Sequence, residues 1–217
     1  MSEFMLKALY KAFLDTLTMV SISAVIVWFA GIALGMVLVT TARGAIFSAP
    51  TLNRVLGAVI NGFRATPFII LLVALIPLTR LLVGTTIGVW AAVVPITLSA
   101  TPFFARVAEV SLREVNPGVI EAAQALGCER RHILFRVLLP EALPGIIGGF
   151  TITLVAMIGA SAMAGAIGAG GLGDLAIRYG YQRYDTTVMF SVIAILIVLV
   201  CAIQALGDRW VGRLKAR

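Results

Sequence analysis

Few residues in this chain could do chemistry. The most suggestive run is GAGGLG at Gly168 to Gly173, followed by Asp174, which spells the dinucleotide-binding fingerprint. That fingerprint works only between a strand and a helix, where a helix N-terminus meets the pyrophosphate. Here a long charge-free tract precedes it, so the run predicts a glycine turn in which backbone approaches backbone, with no cofactor. His132 is the single histidine, which excludes histidine-paired metal motifs, and its place in the basic loop disfavours a histidine triad and reads as a solvated or partner-facing side chain. Cys128 and Cys201 are the two cysteines; neither has metal-ligand spacing and no disulfide is implied. No GxxxxGK followed by Ser or Thr is present, so this chain does not cradle ATP in a P-loop. Arg64, near the start of an apolar run, is the one charge that a membrane reading turns into a functional candidate.

The elements that must position these residues are membrane spans. Of 217 residues, 60% are hydrophobic and 12% charged, about half the ~25% charged residues of an ordinary globular chain. Residues 16–42, 81–105, 142–173 and 186–207 contain no Asp, Glu, Lys or Arg, and each reaches the ~20 residues needed to cross ~30 Å of hydrocarbon. Residues 65–79 make a fifth, short run that reaches full length only if it starts near Leu56, which places Arg64 inside it or at its rim. The expectation is therefore an all-α integral membrane protein with five spans, about 16–42, 56–79, 87–108, 142–166 and 186–207. Residues 1–15 read as a separate amphipathic segment on the membrane surface, and residues 208–217 as a basic tail.

Charge sets the orientation. With residues 115–140 inside, the inner side holds Arg43, Arg54, Arg64, Arg106, Arg113, Arg130, Arg131, Arg136, Arg209, Arg213, Lys215 and Arg217. The outer side holds Lys7, Lys11, Arg80, Arg178 and Arg183. Twelve basic residues against five put the N-terminus outside and the C-terminus in the cytoplasm. The basic residues are dispersed between apolar runs, so they read as topology signals and not as a nucleic-acid surface.

Within the spans, Gly31 with Gly35 and Gly145 with Gly149 have small-residue spacing for close helix contact, read as packing. Pro67, Pro77, Pro95 and Pro102 would bend the second and third spans. No acidic pair lies inside a span, which disfavours an ion-coupled secondary transporter. Met157, Ser161 and Met163, on the span leading to the glycine turn, are candidates for a pathway wall.

The loop between the third and fourth spans carries its own helix signals. Asn116 can cap, Pro117 fits a first helical position, and Val119, Ile120, Ala122, Ala123 and Leu126 mark an apolar face that Gly127 ends. The basic segment after it, with Arg130, Arg131 and Arg136, predicts a helix on the membrane surface that Pro140 turns inward.

This loop resembles the EAA loop of importer-type ABC permeases: Glu121, Ala122 and Ala123, then Gly127, Val137, Leu139 and Pro140 stand at the family's spacing. The single departure is Val137, where isoleucine is more usual. NGFRATPFIILL at Asn61 to Leu72, SATPFFARVAE at Ser99 to Glu109 and SAMAGAIGAGGLGDLAIRYGY at Ser161 to Tyr181 extend the resemblance over about residues 13–207, toward permeases of D- and L-methionine importers. The resemblance implies a homodimeric pore and two cytoplasmic ATPase subunits docked on the EAA loops. It also implies an extracytoplasmic methionine-binding protein facing Gly168, Gly170, Gly171, Gly173, Tyr179 and Tyr181. A sibling importer for another small solute is the alternative that it leaves open, and a membrane scaffold is the third.

Overall fold

The computed structural model describes residues 3–216, and every regular element among them is helical. Ten α-helices follow in order: α1 Glu3–Thr40, α2 Pro50–Ala65, α3 Phe68–Ala74, α4 Ile76–Val83, α5 Val89–Arg113, α6 Pro117–Ala125, α7 Arg130–His132, α8 Leu139–Ala164, α9 Gly171–Leu175 and α10 Thr186–Lys215. Wider π-helical turns link α7 to α8 (Ile133–Leu138) and follow α9 (Ala176–Tyr181), while after α8 the backbone of residues 165–169 kinks out of helical geometry at Ile167 and Gly168.

Four stretches are long and apolar enough to cross a membrane: Glu3–Thr40, Val89–Arg113, Arg130–Ala169 and Thr186–Lys215. The candidate for a fifth pass is the pair α2 and α3, bent by 106° at the break between them. The bend falls at Thr66 and Pro67, because a residue before proline is pushed into extended backbone and the ring cannot donate to the helix ladder. The expected continuous span over 56–79 is thus a broken one. By contrast, α5 runs unbroken through Pro95 and Pro102.

Helix α5 is the hub. Gly31 and Gly35 let α1 approach it: a Cβ on Gly31 would sit 2.5 Å from the Phe104 ring, and one on Gly35 would sit 3.0 Å from the Ala105 carbonyl oxygen. On another face Gly145 and Gly149 of α8 close on Ser111 and Val107, so both glycine pairs are packing devices within one chain. Trp28, Phe104 and Phe150 join the three helices, with ring centroids 4.8 to 5.8 Å apart. The registers also give direction. Gly31 meets Phe104 and Gly35 meets Ala108, so α1 and α5 run parallel; Gly145 meets Ser111 and Gly149 meets Val107, so α8 runs against them, as α2 does, whose Gly57 meets Arg106 while its last turn, at Phe63 and Arg64, shares a groove with Ser99 and Ala100. Such alternation is what five passes require.

Three expectations change. Residues 3–15 are no separate surface segment: they are the opening turns of α1, and Leu9 and Ala12 pack with Leu172, Leu175 and Val188. Pro140 does not turn the chain; the π-helical turn before it lets one nearly continuous helix pass from Arg130 into α8. Residues 208–215 likewise prolong α10, while Arg217, together with Met1 and Ser2, lies outside the described residues.

Candidate functional site

At the basic end of the bundle, the Asn116 carbonyl side chain accepts from the Gly118 N–H at 2.9 Å and starts α6. The helix ends at Gly127, whose φ of 75° is left-handed backbone that glycine adopts without cost. Ala123 is buried, but Glu121, Ala122 and Gly127 are exposed, and Leu126 is 83% exposed on an apolar edge with Val119. Val137 and Leu139 are half-buried and Pro140 is exposed on the helix that follows. A groove of about 640 Å³ separates this element from residues 39–46, lined by Ile46, Ile120, Gln124 and Arg130, whose guanidinium lies 5.8 Å from the Phe47 ring.

The anchor beneath that surface was not foreseen. Glu109, 5% exposed, accepts from Arg106 at 2.6 Å and from Arg113 at 2.8 and 3.0 Å, and Arg106 also donates to the Gly57 carbonyl and to Asn61 Oδ1. The charged knot ties α2 to α5. Its signal was present as arginines three residues before and four residues after an acid, one face of a helix. Asn53 adds a second tie, donating to the Leu38 carbonyl at 2.6 Å and to Thr41 Oγ1 at 3.0 Å.

Midway along the bundle, a groove of about 420 Å³ opens between the α2–α3 bend, α5 and α8. Met157 and Met163 line it with Phe63, Phe68, Ile96 and Phe103, and its polar lining is Arg64, Thr66, Ser99 and Thr153. Ser161 is not there. Its hydroxyl is buried and donates to the Ile158 carbonyl at 2.7 Å, a packing role. Arg64 belongs to this groove, at the level of the middle of α5, and so leaves the set of inner-face charges.

At the other end the glycine run turns as expected: Gly168, Gly170 and Gly171 have φ of 92°, 82° and 79°. Gly171 and Gly173 are buried, however, so they offer no surface to a partner. A Cβ on Gly171 would sit 2.7 Å from Thr16 Oγ1, and one on Gly173 would collide with the Ala162 backbone. Gly168 and Tyr181 are exposed, Gly170 and Tyr179 are half-buried, and Arg183 stacks 4.6 Å from the Tyr179 ring. No strand precedes the run among the described residues, so it lacks the frame that a dinucleotide site needs.

Four helices long and apolar enough to cross a membrane and a bent fifth candidate, around a mid-bundle groove and with a glycine-turned loop displayed at one end, fit the membrane-spanning part of a transporter. The chain belongs to the family of binding-protein-dependent transport system inner membrane components, whose model matches residues 31–217. It is 51% identical, over 94% of its length and 90% of the relative's, to the probable D-methionine transport system permease protein MetI of Vibrio cholerae serotype O1. It is 44% identical, over 77% of its length and 76% of the relative's, to the methionine import system permease protein MetP of Bacillus subtilis strain 168. Among solved structures, inward-facing conformations of the MetNI methionine ABC transporter match with a TM-score of 0.96 at 46% identity over 99% of both chains. An amino acid ABC transporter with histidines shares the fold at a TM-score of 0.79 and 21% identity, over 95% of this chain and 94% of that one.

Proposed function

We propose that this chain is the permease subunit of an ATP-driven methionine importer, and that two copies form the translocation pathway. The observation that carries this reading is likeness at nearly full length to a methionine ABC transporter, 46% identical with a TM-score of 0.96. In this reading residues 115–140 face the cytoplasm, where Glu121, Ala122, Gly127 and the exposed Leu126 edge receive an ATPase subunit. The opposite end, with Gly168, Tyr179 and Tyr181, faces a methionine-binding protein outside. The permease domain spans about residues 13–207, and the chain enters the membrane with its N-terminus outside.

Physical reasons support the division of labour. Without a P-loop the chain needs a partner to hydrolyse ATP, and a loop on an unbroken helix can pass a partner's movement into α8 as a rigid body. The test is reconstitution of the permease with its ATPase and binding protein in proteoliposomes. ATP-dependent uptake of labelled methionine that vanishes when the ATPase is omitted is the expected result. Uptake of another solute but not of methionine would move the assignment to a sibling importer.

A further inference from the structure

The mid-bundle groove holds a charge with no partner. Arg64 is its one ionisable lining residue, and among the described residues no carboxylate lies within ion-pair distance of it. Its depth makes this unusual. It shares the groove with Ser99, which stands ten residues from Val89 and fourteen from Arg113, the two ends of α5. Along α2 Arg64 lies three residues, ~5 Å, past Asn61, which bonds Arg106, so it stands one turn deeper than the charged knot around Glu109, with its side chain exposed. A charge held at this depth faces a pathway or a partner.

We propose that Arg64 is the carboxylate-recognising residue of the translocation groove: its guanidinium holds the α-carboxylate of an amino acid in transit, while the solute side chain lies against Met157, Met163 and Phe103. The inference rests on the methionine-importer reading and adds to it a residue and a contact. The chemistry matches at three points. A guanidinium presents a planar fork to a carboxylate, and the pairing strengthens in a low-dielectric groove. The Thr66 and Thr153 hydroxyls donate to the Gly62 and Gly149 carbonyls at 3.0 and 2.8 Å, which leaves their oxygens free to accept from the solute's ammonium. Thioether and aromatic walls suit an apolar, polarisable side chain. The broken span makes the arrangement, because the bend at Pro67 ends α2 at this depth and leaves Arg64 in its last turn.

The experiment uses the complete transporter in proteoliposomes, with labelled L-methionine and its loaded binding protein varied to saturation, comparing wild type, Arg64→Gln and Arg64→Lys. Arg64→Gln is expected to lower the saturated uptake rate at least tenfold. The concentration of loaded binding protein giving half-maximal rate should stay within twofold. Arg64→Lys, which keeps the charge but not the fork, is expected to retain a third or more of the rate. Arg64→Gln transporting at half the wild-type rate or better overturns the proposal, and so does equal impairment of both variants, since charge then plays no part. Wild-type proteoliposomes that fail to take up methionine would instead overturn the importer assignment on which it rests.

Discussion

Thr16 Oγ1 accepts a hydrogen bond from the Leu172 N–H at 2.9 Å, joining residues 156 apart in a buried contact at the glycine-rich end. Leu172 stands in the first turn of α9, where backbone N–H groups have no partner within the helix. One hydroxyl on α1 therefore secures the glycine turn, and the bare backbone of Gly171 lets it come that close.

Removing that hydroxyl should loosen the glycine turn without disturbing the bundle. Thr16→Val keeps the shape but leaves a buried N–H unsatisfied, at about 1–3 kcal/mol. Thr16→Ser keeps the acceptor and should remain close to wild type. The expected outcome is a lower melting temperature of the detergent-solubilised protein for Thr16→Val alone, with faster amide hydrogen exchange confined to residues 168–181. Unchanged exchange there would show that the turn is held by packing.

Glu109 makes a second, sharper case, because one buried carboxylate serves two arginines and its loss leaves both unpaired. Breaking a buried pair from one side costs about 3–5 kcal/mol, and half-exposed Arg113 places Glu109→Ala toward the lower figure. The variant should accumulate poorly in membranes. Adding Arg106→Met removes the stranded charge and should recover much of the lost abundance, measured by immunoblot of membrane fractions. No recovery would mean that the contacts of Arg106 to Gly57 and Asn61 outweigh its pairing with Glu109.

What was legible in the chain follows from how local the physics is. Charge-free runs pointed to the four long apolar helices, because the cost of burying a charge in hydrocarbon needs no tertiary partner to be evaluated; the short run at 65–79 did not show its break. Asn116, Pro117 and Gly127 marked the ends of α6 because capping acts within a few residues. The bend at Pro67 was harder to see: four prolines lay in or beside two spans, and only neighbouring helices decide that Pro95 and Pro102 stay inside an unbroken helix. Ser161 and Met163 lie two residues apart, yet one is buried and the other lines the groove, since a two-residue step on a helix turns the side chain to another face. Burial of Gly171 and Gly173 depended on the return of the chain to Thr16 and Ala162, which no local pattern records.

Orientation is open to direct measurement. With Arg64 assigned to the groove, eleven basic residues on the inner side face five on the outer, and the bias keeps its sign. A reporter fused after residue 120 should therefore report cytoplasm, and one fused near Gly180 should report the outside. The opposite pair of results would reverse the assignment of both partner surfaces.

Gly127 gives the most discriminating test of the coupling surface, because its geometry separates folding from docking. Its φ of 75° makes a side chain unfavourable by about 1–2 kcal/mol, and less for Asp or Asn, which tolerate left-handed backbone. A Cβ there meets nothing within 4 Å, so the chain's own fold has room for it. Gly127→Asp should consequently insert and accumulate like wild type. If an ATPase subunit closes over this turn, the same side chain fills space that the partner needs and sets a charge beside it. Pull-down of the ATPase and methionine uptake should then fall at least tenfold. Glu121→Lys, a reversed charge on an exposed site, should weaken both more mildly. Normal ATPase retention and transport by Gly127→Asp would show that the turn lies outside the interface, and the docking surface would have to be sought along the groove beside Ile46 and Arg130.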